Sequence, residues 1–263
     1  MKILLTVIFI WALTSLNASP VRSTIGGKSI SFLNADGTSS YTAADYVQDG
    51  LVAMWDGIEN AWWGVHDDNL SDWISLIGDG KTIPLQGHFV YSFDSNSLVT
   101  IGAAGVNTQY QTVPVIADLL NTSEWTVEVM AQCYGTYTAL IRTYPWGGGG
   151  NFVVERGNNV AYLMATDIAG NKLFAGTGDS TSGYMASYTL RYKDNVLYRD
   201  WMVVGEGNAM HDTIEWTKPV LKTTNYSIGQ NNKYHFIRLY SRALTDAEIV
   251  ANYVVDKVRF DLP

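Results

Sequence analysis

Between Trp62 and Asp72 the chain reads Trp-Trp-Gly-Val-His-Asp-Asp-Asn-Leu-Ser-Asp. The two indoles, Trp62 and Trp63, are rigid apolar planes, and such planes stack on the C–H faces of sugar rings at low entropic cost. Asp67, Asp68, Asn69 and Asp72 follow them and supply oxygen, the donor atom that hard cations take. Calcium is the ion this run suits, although its spacing matches no EF-hand loop and a solvated acidic turn has the same composition. Trp146 stands in a second aromatic-bearing loop, after Pro145 and before the glycines 147–150. Trp62, Trp63 and Trp146 are therefore the candidate ligand-binding residues. Asp67, Asp68, Asn69 and Asp72 are the candidate metal or hydroxyl partners, and the fold requires no cofactor.

Catalytic patterns are sparse. A glycosidase pairs two carboxylates about 5 Å apart when retaining, or about 6.5–9.5 Å apart when inverting. Alternate residues on one strand are about 6.6 Å apart and meet that need. The acidic pair with that spacing is Asp246/Glu248, in a segment that reads as a helix start. Glu124 and Glu128 lie four positions apart, which is about 13 Å along a strand. A dyad formed across strands stays open. His66, His88, His211 and His235 are scattered, without paired zinc-ligand spacing. Cys133 is the single cysteine, so no internal disulfide forms.

The elements that must hold these residues are strands. Of 263 residues 47% are hydrophobic and 16% charged, enough apolar surface for a sizeable core. The net charge of −8 argues against a nucleic-acid partner, which needs a basic footprint. Residues 1–18 read as a signal peptide, with Lys2, the apolar run Ile3 to Leu13 and a small residue, Ala18, at the cut. That run is short of the roughly 20 residues needed to span a bilayer. A secreted, periplasmic or cell-surface location is expected, with no transmembrane segment after cleavage. Residues 19–45 read as a leader or short hairpin, with Thr42 capping a helical turn and Asp45 three residues on.

Beyond that, segments rich in Val, Ile, Tyr, Phe and Trp alternate with Gly/Asn/Asp turns. Strands are predicted over 51–55, 88–93, 98–103, 125–133, 137–143, 151–155, 160–165, 184–192, 196–204, 226–228 and 233–240. Trp55, Trp125, Phe89 and Phe93 should face the core. Trp62, Trp63, Trp73, Tyr144, Trp146 and Trp216 fall in predicted loops. So many short strands with little helical periodicity predict an all-β, two-sheet antiparallel sandwich, with barrel closure the alternative. Thr245-Asp246-Ala247-Glu248 is a capping-box sequence and predicts a short C-terminal helix.

Several stretches form a recognisable pattern. They are Tyr226-Ser227-Ile228-Gly229, Tyr234 to Tyr240 (YHFIRLY), Ser241-Arg242-Ala243-Leu244-Thr245-Asp246-Ala247-Glu248-Ile249 and Asn252-Tyr253. Upstream stand Tyr46 to Asn60 (YVQDGLVAMWDGIEN), Tyr91-Ser92-Phe93-Asp94 and Glu124-Trp125-Thr126-Val127-Glu128-Val129. Together they resemble bacterial secreted laminin G-like domains of the concanavalin A-like lectin/glucanase superfamily. Two positions depart from that pattern: Ser95 follows Asp94 where the family has Gly, and Tyr198-Arg199-Asp200-Trp201-Met202 replaces a family hairpin. The resemblance implies a jelly-roll domain over 46–263. It implies only loosely a glycan or cell-surface ligand, because the fold hosts many functions. The function expected is a non-catalytic binding module that recognises carbohydrate through loop aromatics. A structural or adhesive protein of a surface or phage particle is the alternative, and a glycoside hydrolase or polysaccharide lyase ranks last.

Overall fold

A computed structural model describes residues 22–25, 28–31, 41–78, 81–85, 90–101, 111–112, 114–134, 137–143, 152–157, 160–166, 172–178, 185–203, 209–215 and 226–262. The expected signal peptide, Phe89, Tyr144, Trp146 and Trp216 lie outside them. The chain divides into two compact units, Asp49–Thr245 and Met1–Gln48 with Asp246–Pro263.

The second of these holds the hairpin β1 (Arg22–Ile25) and β2 (Lys28–Ser31), then a 3-10 turn over Ala43–Asp45. Both halves of the expected cap are present there. The Ala44 amide donates to Thr42 Oγ1 at 3.2 Å, and the Thr42 amide to Asp45 Oδ2 at 2.8 Å. The unit ends in the C-terminal helix, Asp246–Arg259, which carries Asp246 and Glu248 in its first turn and Lys257 and Arg259 in its last. Those signs complement the helix dipole. From this helix, Asn252 Oδ1 accepts the Val47 amide at 2.9 Å, and Arg259 donates to the Tyr46 hydroxyl at 3.3 Å.

The regular elements described in the larger unit are strands, apart from one short helix. In chain order they begin with β3 (Leu51–Asp56), β4 (Asp72–Ile74), β5 (Thr82–Pro84), β6 (Val90–Asp94), β7 (Ser97–Ile101) and β8 (Gln111–Thr112). The helix α1 (Pro114–Leu120) follows, so that the C-terminal helix is α2. Next come β9 (Trp125–Cys133), β10 (Tyr137–Thr143), β11 (Phe152–Gly157), β12 (Val160–Thr166) and β13 (Lys172–Gly178). The last are β14 (Met185–Lys193), β15 (Val196–Val203), β16 (Ala209–Glu215), β17 (Tyr226–Ile228) and β18 (Asn232–Tyr240).

These strands make two large antiparallel sheets. One runs β16-β15-β14-β9-β18-β7-β6, with β3 also on β18; the other runs β13-β12-β11-β10-β17-β8. β4 and β5 form a separate hairpin. The architecture is a β-sandwich, and the register shows why. Trp125, Val127, Val129 and Ala131 alternate along β9 and all join the core. Leu190 and Leu239 flank Val127 in register, and Tyr188 and Ile237 flank Val129. Ile141 and Ile228, paired neighbours of the other sheet, enter the same core. Burying each such side chain contributes roughly 1.5–3 kcal/mol. Trp55, Trp125 and Phe93 lie in that core, as expected. The β14–β15 connection uses Asp194 (φ 52°) and Asn195 (φ 64°), the left-handed geometry that Asp and Asn tolerate best after glycine.

Some elements escaped the pattern. β4 and β5 are three residues each, too short for alternation to show. β13 ends Gly-Thr-Gly, which reads as a turn. α1 is a single short helix whose Pro114 stands at its first position, where the missing N–H costs nothing.

Candidate functional site

Trp62 to Ser71 lie in the loop between β3 and β4, and that loop is anchored at its base. Asp56, fully buried at the end of β3, accepts the amides of Ile58 at 2.8 Å and Glu59 at 2.9 Å through Oδ1. That turns the chain out of the sheet. Gly57 then donates to the His235 carbonyl at 2.8 Å. A Cβ there would run into the backbone of Asn96 and Ser97, so the close approach requires glycine. On the return side, Trp73 Nε1 donates to the Asp56 carbonyl at 3.0 Å.

A second tier braces the middle of the loop. Buried Asn60 holds Asp67 at both ends: its Nδ2 donates to the Asp67 carbonyl at 2.9 Å, and its Oδ1 accepts the Asp67 amide at 2.7 Å. The His66 ring spans from the Ile58 carbonyl to Asp68 Oδ1, 2.9 Å on each side.

The tip is a tight turn. Trp62 and Val65 form an antiparallel bridge, with the Val65 amide donating to the Trp62 carbonyl at 2.9 Å. Gly64 turns the chain at φ +70°, and its amide donates to Glu59 Oε2 at 2.9 Å. The result is an apolar tip on a polar stalk. Trp62 is 55% exposed and Val65 47%, whereas Trp63 is half-buried.

Trp62, Trp63, Asp67, Asp68 and Asn69 thus share one loop, and Asp72 begins β4 at its exit. Their carboxylates serve the loop itself. Asp67 Oδ1 accepts the Asn69 amide at 2.8 Å, Asp68 meets His66, and Asp72 Oδ2 accepts the Ser71 hydroxyl at 2.7 Å. Among the described residues no three His, Cys, Asp or Glu side chains gather as a metal ligand set. Trp73 corrects an expectation. It is no loop residue but the middle of β4, wholly buried, with its ring 6.3 Å from Phe93 and 6.5 Å from Tyr234.

Glu59, Asn60, Gly64 and His66 are the residues sequence reasoning passed over. Their spacing does not reveal this bracing role, because each acts by bonding a partner chosen by the shape of the loop.

The face of the eight-stranded sheet turned away from the core holds a second polar group. Glu128 Oε2 meets Arg238 Nε at 2.9 Å, and the Thr189 hydroxyl donates to Glu128 Oε1 at 3.4 Å. The positions directly across from Glu128 in the register are Thr189 and Arg238, not a second acid. A carboxylate bound in this way is a structural charge partner, poorly placed to attack a glycosidic carbon. Near the base of the loop, Asp94 is raised by burial, but bonds from Lys233, Ser97 and Asn96 outweigh that and hold it below the usual carboxylate range. His235 is pushed down to about 4 by burial and by Lys233, so it stays neutral near pH 7.

No protein-family profile matches the chain, and no curated protein is similar to it in sequence. Solved structures do share its fold. The binding domain of botulinum neurotoxin DC, in complex with SialylT, superposes with a TM-score of 0.55 at 6% identity, over 81% of this chain and 52% of that one. A Trypanosoma rangeli sialidase mutant displaying trans-sialidase activity gives 0.55 at 14% identity, over 98% of this chain and 39% of that one. The T. rangeli sialidase in complex with sialic acid gives 0.54 at 12%, over 97% and 39%. The chain therefore spans about half or less of the length of these proteins. At such identities the likeness is one of fold: an antiparallel β-sandwich.

Proposed function

We propose that this protein is a non-catalytic binding module that recognises carbohydrate through the loop between β3 and β4, with Trp62 as the stacking anchor. The observation that carries the reading is the 55% exposure of Trp62 at the tip of a loop whose base and middle are fixed by buried side chains. An exposed indole is costly to solvate and already ordered, so a sugar face gains from covering it without much loss of chain entropy. Proteins that share the fold include a toxin binding domain solved with SialylT, which supports a binding role for the present sandwich. The finer assignments, a laminin G-like domain and export directed by residues 1–18, belong to the same proposal. N-terminal sequencing of secreted protein would test the export.

The test of binding is a glycan array on the full chain, with titrations followed by tryptophan fluorescence. Binding that disappears in Trp62→Ala is expected. An array on which nothing binds sinks the reading.

A structural or adhesive role is the second reading, and one observation favours it. Val90 and Ile101, paired across β6 and β7, are 57% and 51% exposed on an edge hairpin. A stable oligomer in solution that dissociates on Val90→Lys would move the assignment there.

A further inference from the structure

We propose that the ligand of the Trp62 loop is an uncharged, hydroxyl-rich glycan, and that the site selects against anionic sugars such as sialylated or sulfated ones. The inference rests on the reading of Trp62 as the anchor and adds the chemistry beside it. Between Gly57 and Gly78 the chain carries Glu59, Asp67, Asp68 and Asp72 and no Lys or Arg. Lys81, the next cation along the chain, donates to the Val52 carbonyl at 2.9 Å.

Hydrogen-bond capacity points the same way. The amides of Ala61, Gly64, Val65, Asp67 and Asn69 all donate within the loop, to Val65, Glu59, Trp62, Asn60 and Asp67 respectively. The Asn60 side-chain amide is also spent inward. In the same loop as Trp62, Asp67 and Asp68 are exposed, the Asp68 side chain by 67%, so the charge that the loop shows to solvent is negative. A carboxylate or sulfate ester needs donors or cations, and it would meet like charge instead. A sugar hydroxyl can donate to an ionised carboxylate while its ring covers the indole. Gly64 leaves room for such a ring, since nothing lies within 4 Å of the place its Cβ would occupy.

The test uses the full chain on an array of neutral oligosaccharides printed beside their sialylated and sulfated counterparts, at low and at high salt. Neutral ligands should bind at least about fivefold tighter at low ionic strength, and the gap should narrow as salt screens the carboxylates. The double variant Asp67→Asn/Asp68→Asn should improve binding of the anionic counterparts more than of the neutral ones. Anionic glycans bound as well or better, in a manner lost in Trp62→Ala, would overturn the selectivity and leave the glycan reading standing. Glycan binding that is absent, or indifferent to Trp62→Ala, would overturn both.

Discussion

Glu128 and Arg238 face each other across β9 and β18 as a closed ion pair, Oε2 to Nε at 2.9 Å, with side-chain exposures of 2% and 1%. The guanidinium also lies 3.7 Å above the centroid of the Phe236 ring. Two charges removed from water are tolerable because they pair with each other, with Thr189 also donating to the carboxylate.

Removing one partner should therefore cost far more than removing both. Arg238→Met alone should lose about 3–5 kcal/mol in urea unfolding, since it strands a buried carboxylate. Glu128→Leu combined with Arg238→Met should recover most of that loss. Equal losses in the single and double variants would mean that the pair is not coupled.

Exposed and buried tryptophans should separate cleanly. Trp62→Ala should abolish glycan-dependent fluorescence while changing stability by less than about 0.5 kcal/mol, as for other exposed sites. Trp73→Ala opens the core and should cost about 3–5 kcal/mol. Urea melts beside binding titrations read both.

Asn60 should matter for both stability and binding. Its side chain closes two hydrogen bonds with Asp67 across the loop, and Asn60→Ala removes both, at a net cost of about 0.5–1.5 kcal/mol for each. Because it also loosens the tip, affinity should fall although Asn60 touches no ligand. Unchanged affinity in a destabilised variant would show that the loop needs no such brace.

The pH dependence follows from His235. As pH falls below 6.5 the unfolded chain binds a proton that folded His235 refuses until about pH 4. Stability should decline across that window by up to about 3 kcal/mol and then level. Asp94 acts lower: its stabilisation is present above its ordinary 3.8 and is lost as pH falls through its depressed value. His235→Asn should flatten the upper window alone, seen in urea midpoints taken from pH 7 to pH 4.

Metal should be dispensable. The carboxylates of Asp67, Asp68 and Asp72 already serve Asn69, His66 and Ser71, so EDTA against added calcium should leave the melting temperature unchanged. A clear rise with calcium would reveal an ion bound to the folded state.

Much of the scaffold was legible in residue order. Alternation over 125–133 locates β9 and its core face, because a strand repeats every two residues and burial follows that repeat. The Thr42/Asp45 cap and the Asp194-Asn195 turn depend on neighbours in sequence, and both stand where local chemistry puts them. The start of the Trp62-bearing loop after β3 was equally visible as a break in the apolar pattern, whereas its end at β4 was not. What the loop presents was not. Trp62 and Trp73 are chemically identical and eleven positions apart, yet one meets solvent and the other fills the core. The two-bond grip of Asn60 on Asp67 depends on the shape of the loop, and the pairing of Glu128 with Arg238 from 110 positions away depends on which strands become neighbours. Local preference acts over a few residues, whereas exposure, charge pairing and the direction of a loop are set by the packing of the two sheets. The chain order thus determined the long strands and the local turns, and the tertiary fold alone decided that Trp62 meets solvent while Trp73 is buried.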